Sequence, residues 1–112
     1  MSQYAFDEQG NIFIIKIMEK RATIDFSGQL KNDILKIIDE GHTKVIIDLS
    51  ETEYVDSSFL GVLVAGLKKA SMKNGDLKIV GLQSPVRAMF ELTRLYRIFD
   101  IFDNEEDAVK SF

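Results

Sequence analysis

Lys44-Val45-Ile46-Ile47-Asp48-Leu49-Ser50, then Glu51-Thr52-Glu53-Tyr54-Val55-Asp56, then Ser57-Ser58-Phe59-Leu60-Gly61-Val62-Leu63-Val64, is the stretch whose reading decides the fold. Its first part is a short, β-branched, apolar run, so Lys44 to Leu49 is predicted to be a buried strand. Its last part changes period. At a helical turn of about 100° per residue, Leu60, Leu63, Val64, Leu67 and Ala70 gather on one side, and a helix is predicted over about Ser57 to Lys73. Asn74-Gly75 then supplies a left-handed stop. A buried strand that runs through a short polar loop into a helix is the unit from which parallel sheets are built.

The same alternation extends both ways along the chain. Upstream, Tyr4 to Phe6 and Asn11 to Met18 read as two strands around the turn Asp7-Glu8-Gln9-Gly10-Asn11. The second is apolar on nearly both faces, which marks a central strand. Leu30, Ile34, Ile37 and Ile38 fall at helical spacing, with Lys31, Asn32, Asp33, Lys36 and Asp39 opposite them and Gly41 at the close. Ser27 or Asp25 is the expected cap. Downstream, Leu77 to Leu82 is a strand, and Ser84-Pro85 opens a helix that runs to about Thr93. Ile98 to Phe102 is a further strand, and Asn104 to Val109 a short last helix whose acids suit its positive end. The order ββαβαβαβα predicts an α/β fold: a mixed, mainly parallel sheet of four to five strands with about four helices, its first hairpin forming an antiparallel edge.

Composition narrows the function. The chain has 112 residues, which suits one domain over 1–112. With no Cys and one His, disulfides, thiolate metal sites, a Cys nucleophile and a two-His metal site are excluded, and no cofactor loop is recognisable. The absence of Cys fits a reducing compartment, so the expected location is cytoplasmic. A net charge of −4 argues against nucleic acid as partner, and no stretch has the length or apolarity of a membrane insertion. Arg87, Arg94 and Arg97 read as a solvated face, His42 as a loop residue, and Met18, Met72 and Met89 as packing or surface side chains. Asp48 and Asp56 resemble a metal pair without a third ligand. A protein that is not an enzyme is the expectation.

What remains is the start of the central helix. Asp56, Ser57 and Ser58 are all preferred capping residues, and one of them suffices to satisfy an orphan backbone N–H. A hydroxyl at a helix N-terminus is also a place where a phosphate is tolerated. Both readings stand on the residues alone. Val62 falls with Lys69 and Lys73 on the outer side, near Ser58 and Ala65, where it is either a partner contact or an ordinary exposed hydrophobe.

The run V-I-I-D-L-S-x-x-x-Y-V-D-S-S-F-L-G-V-L-V, Val45 to Val64, resembles the signature of the STAS domain of bacterial anti-sigma factor antagonists. Ser84-Pro85-Val86 through Phe90, Leu92-Thr93-Arg94-Leu95, Ile98-Phe99 and Glu105-Glu106-Asp107-Ala108 extend the resemblance over nearly the whole chain. It implies phosphorylation of Ser57, with Ser58 the lesser candidate, by a serine kinase that is also the anti-sigma factor. It further implies that a PP2C-type phosphatase reverses the modification, and that the unmodified form binds the kinase and frees the sigma factor. Asp56, Ser57, Ser58, Phe59 and Val62, together with Thr23 and Asp25, are then the expected partner-binding residues. Phe59 stands where the family pattern has Gly, which is expected to put a ring beside the docking surface. Lys20-Arg21-Ala22-Thr23 stands where it has G-E-L-D, with Asp25 the nearest acid. The resemblance also admits a non-switching scaffold, or an accessory subunit of a membrane transport ATPase, and either a monomer or a weak dimer.

Overall fold

The computed structural model describes residues 3–112. The elements run β1 (Tyr4–Gln9), β2 (Ile12–Ile17), β3 (Arg21–Ala22), α1 (Ile24–Asp39), β4 (Lys44–Asp48), β5 (Tyr54–Val55) and α2 (Ser57–Met72). They continue as β6 (Asp76–Val80), α3 (Ser84–Leu92), a single turn of 3-10 helix at Leu95–Arg97, β7 (Ile101–Phe102) and α4 (Glu105–Lys110). Five strands make one sheet in the order β1-β2-β4-β6-β7, antiparallel only at the β1–β2 edge. The mixed, mainly parallel sheet and its helices are as expected. A second, two-residue parallel sheet, β3 with β5, is an addition.

The boundaries differ where backbone pairing, not side-chain pattern, sets them. β1 runs on to Gln9 because Asp7, Glu8 and Gln9 pair with Ile14, Phe13 and Ile12, and the expected five-residue turn shrinks to Gly10-Asn11 with Gly10 at φ 62°. α1 starts after Thr23, so Asp25 and Ser27 lie inside the helix; the Ser27 hydroxyl donates to the Thr23 carbonyl at 2.6 Å. Gln83 precedes α3, and Ser84 is its first residue. The last strand loses Ile98 to Asp100: left-handed Arg94 (φ 61°) opens the 3-10 turn Leu95–Arg97, and the N–H groups of Ile98 and Phe99 still donate to the Leu95 carbonyl.

One sheet face packs against α1, α2 and α3 over the main core, whose fully buried members include Ile15, Ile17, Leu30, Ile34, Ile47, Leu63 and Phe90. The other face, with Ile12, Ile14, Ile46 and Val80, packs against Ala108 of α4, with Val109 and Phe112 partly buried on it. Between α1 and β6, α2 is pinched at Gly66, where a Cβ would meet Leu77 Cδ1 at 2.8 Å and Ile34 Cγ2 at 3.0 Å.

That double contact corrects the expected orientation of α2. The helix buries Phe59, Leu60, Val62, Leu63, Gly66 and Ala70, while Val64 and Leu67 stay partly exposed. Val62 is 5% exposed and belongs to the core, not to the outer face. Phe59 is fully buried, its ring centroid 6.0 Å from that of Phe26 on α1. Neither presents a surface to a partner. A helix that packs on a sheet and on a second helix at once buries a wider arc than a single stripe, and reading one stripe placed Val62 on the wrong side; Phe59 was expected at the surface only from its place in the family pattern. Lys69 and Lys73 do face outward, and both reach Asp39 on α1, at 2.7 and 3.6 Å.

Candidate functional site

The chain leaves β4 through a loop held by its own side chains. Ser50 N–H donates to Asp48 Oδ1 at 2.8 Å, and the buried Thr52 hydroxyl donates to the Glu19 carbonyl at 3.0 Å. The N–H groups of Glu53 and Tyr54 both donate to the Lys20 carbonyl, which brings β5 against β3. Arg21 then pairs with Tyr54, its guanidinium 4.4 Å from the ring centroid, and Ala22 with Val55. Each two-residue strand passes directly into a helix, so the N-termini of α1 and α2 emerge side by side.

Asp56 ties these two N-termini together. Its Oδ1 accepts from Phe59 N–H at 2.9 Å, capping α2, and its Oδ2 accepts from Ile24 N–H at 2.9 Å, satisfying an orphan donor of α1. The capping role thus belongs to Asp56. Ser57 is left exposed at the first position of α2, and Ser58 is half-buried beside it. Thr23 is half-buried at the cap of α1 and Asp25 exposed on its first turn. Thr23, Asp25, Asp56, Ser57 and Ser58 therefore lie together, whereas Phe59 and Val62 do not join them. The supposed metal pair is committed elsewhere: Asp56 caps, and Asp48 is buried at the end of β4.

Two exposed side chains belong to this surface that the sequence did not single out. Ile24 is 69% exposed on the first turn of α1, and Tyr54 is 41% exposed under Arg21. A signal was present. Ala22-Thr23-Ile24-Asp25-Phe26-Ser27-Gly28-Gln29-Leu30 and Val55-Asp56-Ser57-Ser58-Phe59-Leu60-Gly61-Val62-Leu63 run in step: a buried residue, a cap, two outward positions, Phe, then Gly and Leu. Aligned this way, Ile24 occupies the place of Ser57, and the two Phe residues are the pair that meet inside. Gly28 and Gly61 are both exposed, with nothing within 4 Å of where a Cβ would stand.

At the same end of the sheet, Glu105 on α4 is pushed up to about 7 by its hydrogen bond to Asp48, by burial and by the Asp48 charge. Asp48 is held below the usual carboxylate range although burial opposes this, because hydrogen bonds from Glu105 and Ser50 and the charge of Lys16 favour its ionised form.

A model of the STAS domain family matches residues 4–108. The chain belongs to the STAS domain family. Among its relatives, the anti-sigma-B factor antagonist of Bacillus subtilis is 30% identical over 81 residues, covering 72% of this chain and 73% of that one. The anti-sigma F factor antagonist of Paenibacillus polymyxa is 29% identical over 65 residues, 58% of this chain and 56% of that one, so the match spans little more than half of that relative. A STAS domain protein of Planctomyces limnophilus superposes with a TM-score of 0.89 at 18% identity, covering 98% of this chain and 97% of that one. The anti-sigma factor antagonist SpoIIAA in its unphosphorylated form superposes with a TM-score of 0.85 at 17% identity, covering 96% and 94%. These two likenesses concern the fold. The sequence relatives carry names of regulatory binding proteins, not of enzymes.

Proposed function

We propose that this chain is an anti-sigma factor antagonist whose partner binding is switched by phosphorylation of Ser57. The observation that supports this most directly is the division of labour at the start of α2: Asp56 supplies the caps, so the Ser57 hydroxyl stands exposed without a structural task there. The partners are an anti-sigma-factor serine kinase and a PP2C-type phosphatase, and the place of action is the cytoplasm. The docking surface comprises Ser57, Ser58, Asp56, Thr23 and Asp25, to which Ile24 adds an apolar anchor. In the unmodified chain this surface combines one exposed hydrophobe with backbone-near helix ends, which suits close apolar contact.

Phosphate on Ser57 adds about −1.5 to −2 charge units. The macrodipole of the 16-residue α2 tolerates that charge at its first turn, so the fold persists. A partner face, in contrast, must desolvate it beside Ile24 and the exposed Asp25. An unpaired buried charge costs several kcal/mol, and every ~1.4 kcal/mol is tenfold in affinity.

The test is capture from the native host by wild type, Ser57→Ala and Ser57→Asp chains, with phosphosite mapping and intact mass on the wild type. Wild type and Ser57→Ala should capture a serine kinase and Ser57→Asp should not, while all three melt alike. Binding by Ser57→Asp at wild-type strength sinks the switch. Copurification of a phosphate-free chain with a transport ATPase would favour a constitutive scaffold instead.

A further inference from the structure

A groove of about 420 Å³ lies far along α2 from Ser57, lined by Val64, Leu67, Lys68, Ser71, Met72 and Ile98. Its α2 members fall at i, i+3, i+4, i+7 and i+8, one outward stripe about 12 Å long at 1.5 Å per residue. Met72 is 85% exposed and Ile98 49%, so large apolar side chains stand open to solvent on both walls.

The lining of this groove holds one lysine and no acid. α2 contains Lys68 and Lys69 and no Asp or Glu, and the segment from Leu92 to Phe99 contains Arg94 and Arg97 and no acid. Lys69 is taken by Asp39, whereas among the described residues Lys68, Arg94 and Arg97 form no ion pair. Lys68 lines the groove itself, and Arg97 directly precedes Ile98. Among the lining residues Lys68 is thus the one charge, on a chain of net charge −4.

We propose that this groove is a second docking site, which takes an acidic amphipathic helix of a protein partner, its leucine-like residues in the slot and its carboxylates against Lys68 and Arg97. An apolar groove with a charged rim is the pattern of helix-in-groove recognition, in which anchors at i, i+3, i+4 and i+7 provide contact and the rim selects by charge. A second copy of this chain docked groove to groove would bring Lys68 of both copies, and no acid of either lining, into one interface, which disfavours that occupant. The site does not depend on the Ser57 switch.

The probe is a synthetic helical peptide of about 14 residues, with Leu at i, i+3, i+4 and i+7 and Glu elsewhere, beside the same peptide with Lys in place of Glu. Methyl NMR of the full chain should show the acidic peptide shifting Val64, Leu67, Met72 and Ile98, with affinity at least about tenfold above the Lys peptide. Met72→Glu, at an exposed position, should abolish binding, and Lys68→Glu with Arg97→Glu should reverse the preference. Ser57→Asp should leave the peptide affinity unchanged, which separates failure of this site from failure of the switch. Equal binding of both peptides, no shifts at these methyls, or shifts elsewhere would overturn the proposal. So would a concentration-dependent dimer in ultracentrifugation that Met72→Glu abolishes, since that would give the groove to a second copy.

Discussion

At the scale of single residues, Asp56 joins fold and site. One carboxylate serves the N–H groups of two helices, so Asp56→Ala removes two partners at once. A lost cap costs typically about 1 kcal/mol, so the substitution should destabilise by about 2 kcal/mol, a Tm drop of roughly 8–10 °C for a chain of this size. Asn retains one acceptor oxygen and should recover about half of that loss. A thermal melt of Asp56→Ala within a degree of wild type would show that neither bond matters. Phe59 makes the complementary case. Its ring lies buried against Phe26, so Phe59→Ala should cost about 3–5 kcal/mol in urea unfolding. Under conditions where that variant is still folded, it should capture the same kinase as wild type. A stable variant that lost its partner would return Phe59 to the docking surface. Ser57→Asp belongs at this scale too: its melting should match wild type while capture fails, because the new charge sits on the surface and not in the core.

Among the elements, those with a side-chain period were legible and those held by backbone alone were not. β2, β4 and β6 announced themselves as apolar runs, and α1 and α2 by their spacing, because burial of a whole face leaves a repeating trace, while α3 was read from its Ser84-Pro85 start. β1 was read only at Tyr4 to Phe6; its continuation over Asp7 to Gln9 is exposed, carries no such trace and exists by pairing with β2. β3 and β5 are two residues each and arise from contacts between loops far apart in sequence. Of the site, Asp56 and Ser57 could be read because helix starts have a local grammar. The burial of Val62 could not, because it depends on α1 as second neighbour, and Ile24 was missed because the match between the two helix starts, though present in the sequence, gains its meaning only from their lying side by side. That match yields a prediction. Gly28 and Gly61 are exposed positions within α1 and α2, where Gly costs about 0.5–1 kcal/mol relative to Ala. Gly28→Ala with Gly61→Ala should therefore raise Tm by several degrees, since each new methyl meets nothing inside the fold. Both methyls would stand one turn along from Ile24 and Ser57 at the proposed docking surface, so partner capture should weaken. A double variant that is more stable and binds as well as wild type would leave these glycines without a functional reason.

Across the whole molecule, the sheet has two unequal coverings. Three helices protect one face, whereas α4, of six residues, packs over the other with Ala108, Val109 and Phe112. Polar contacts add to this apolar anchorage. Buried Lys78 donates to the Ser111 hydroxyl at 2.8 Å and lies 4.5 Å from the Phe112 ring centroid, and Glu105 meets Asp48 beside Lys16 and Asp7. The acid pair makes stability depend on pH in a definite direction. Glu105 is raised from 4.5 to about 7 in the folded chain, so between those values the native state holds a proton that the unfolded state has released. Stability therefore falls as pH rises through that window. Asp48, held low, acts in the opposite sense but only below 3.8, where its contribution is lost as pH falls. From pH 5 to pH 8 the Glu105 effect governs this pair. Discounted for its partial exposure, it should amount to about 1–2 kcal/mol, roughly 5 °C in Tm. Glu105→Gln keeps a donor for Asp48 and carries no charge, so it should melt above wild type at pH 8 and near it at pH 5. Hydrogen exchange should locate the difference in the amides of α4, whose anchorage the ionised pair weakens, and leave those of α2 unchanged. Parallel pH profiles for the two chains would mean that Lys16 neutralises the pair completely, and the α4 covering would then be held equally at both pH values.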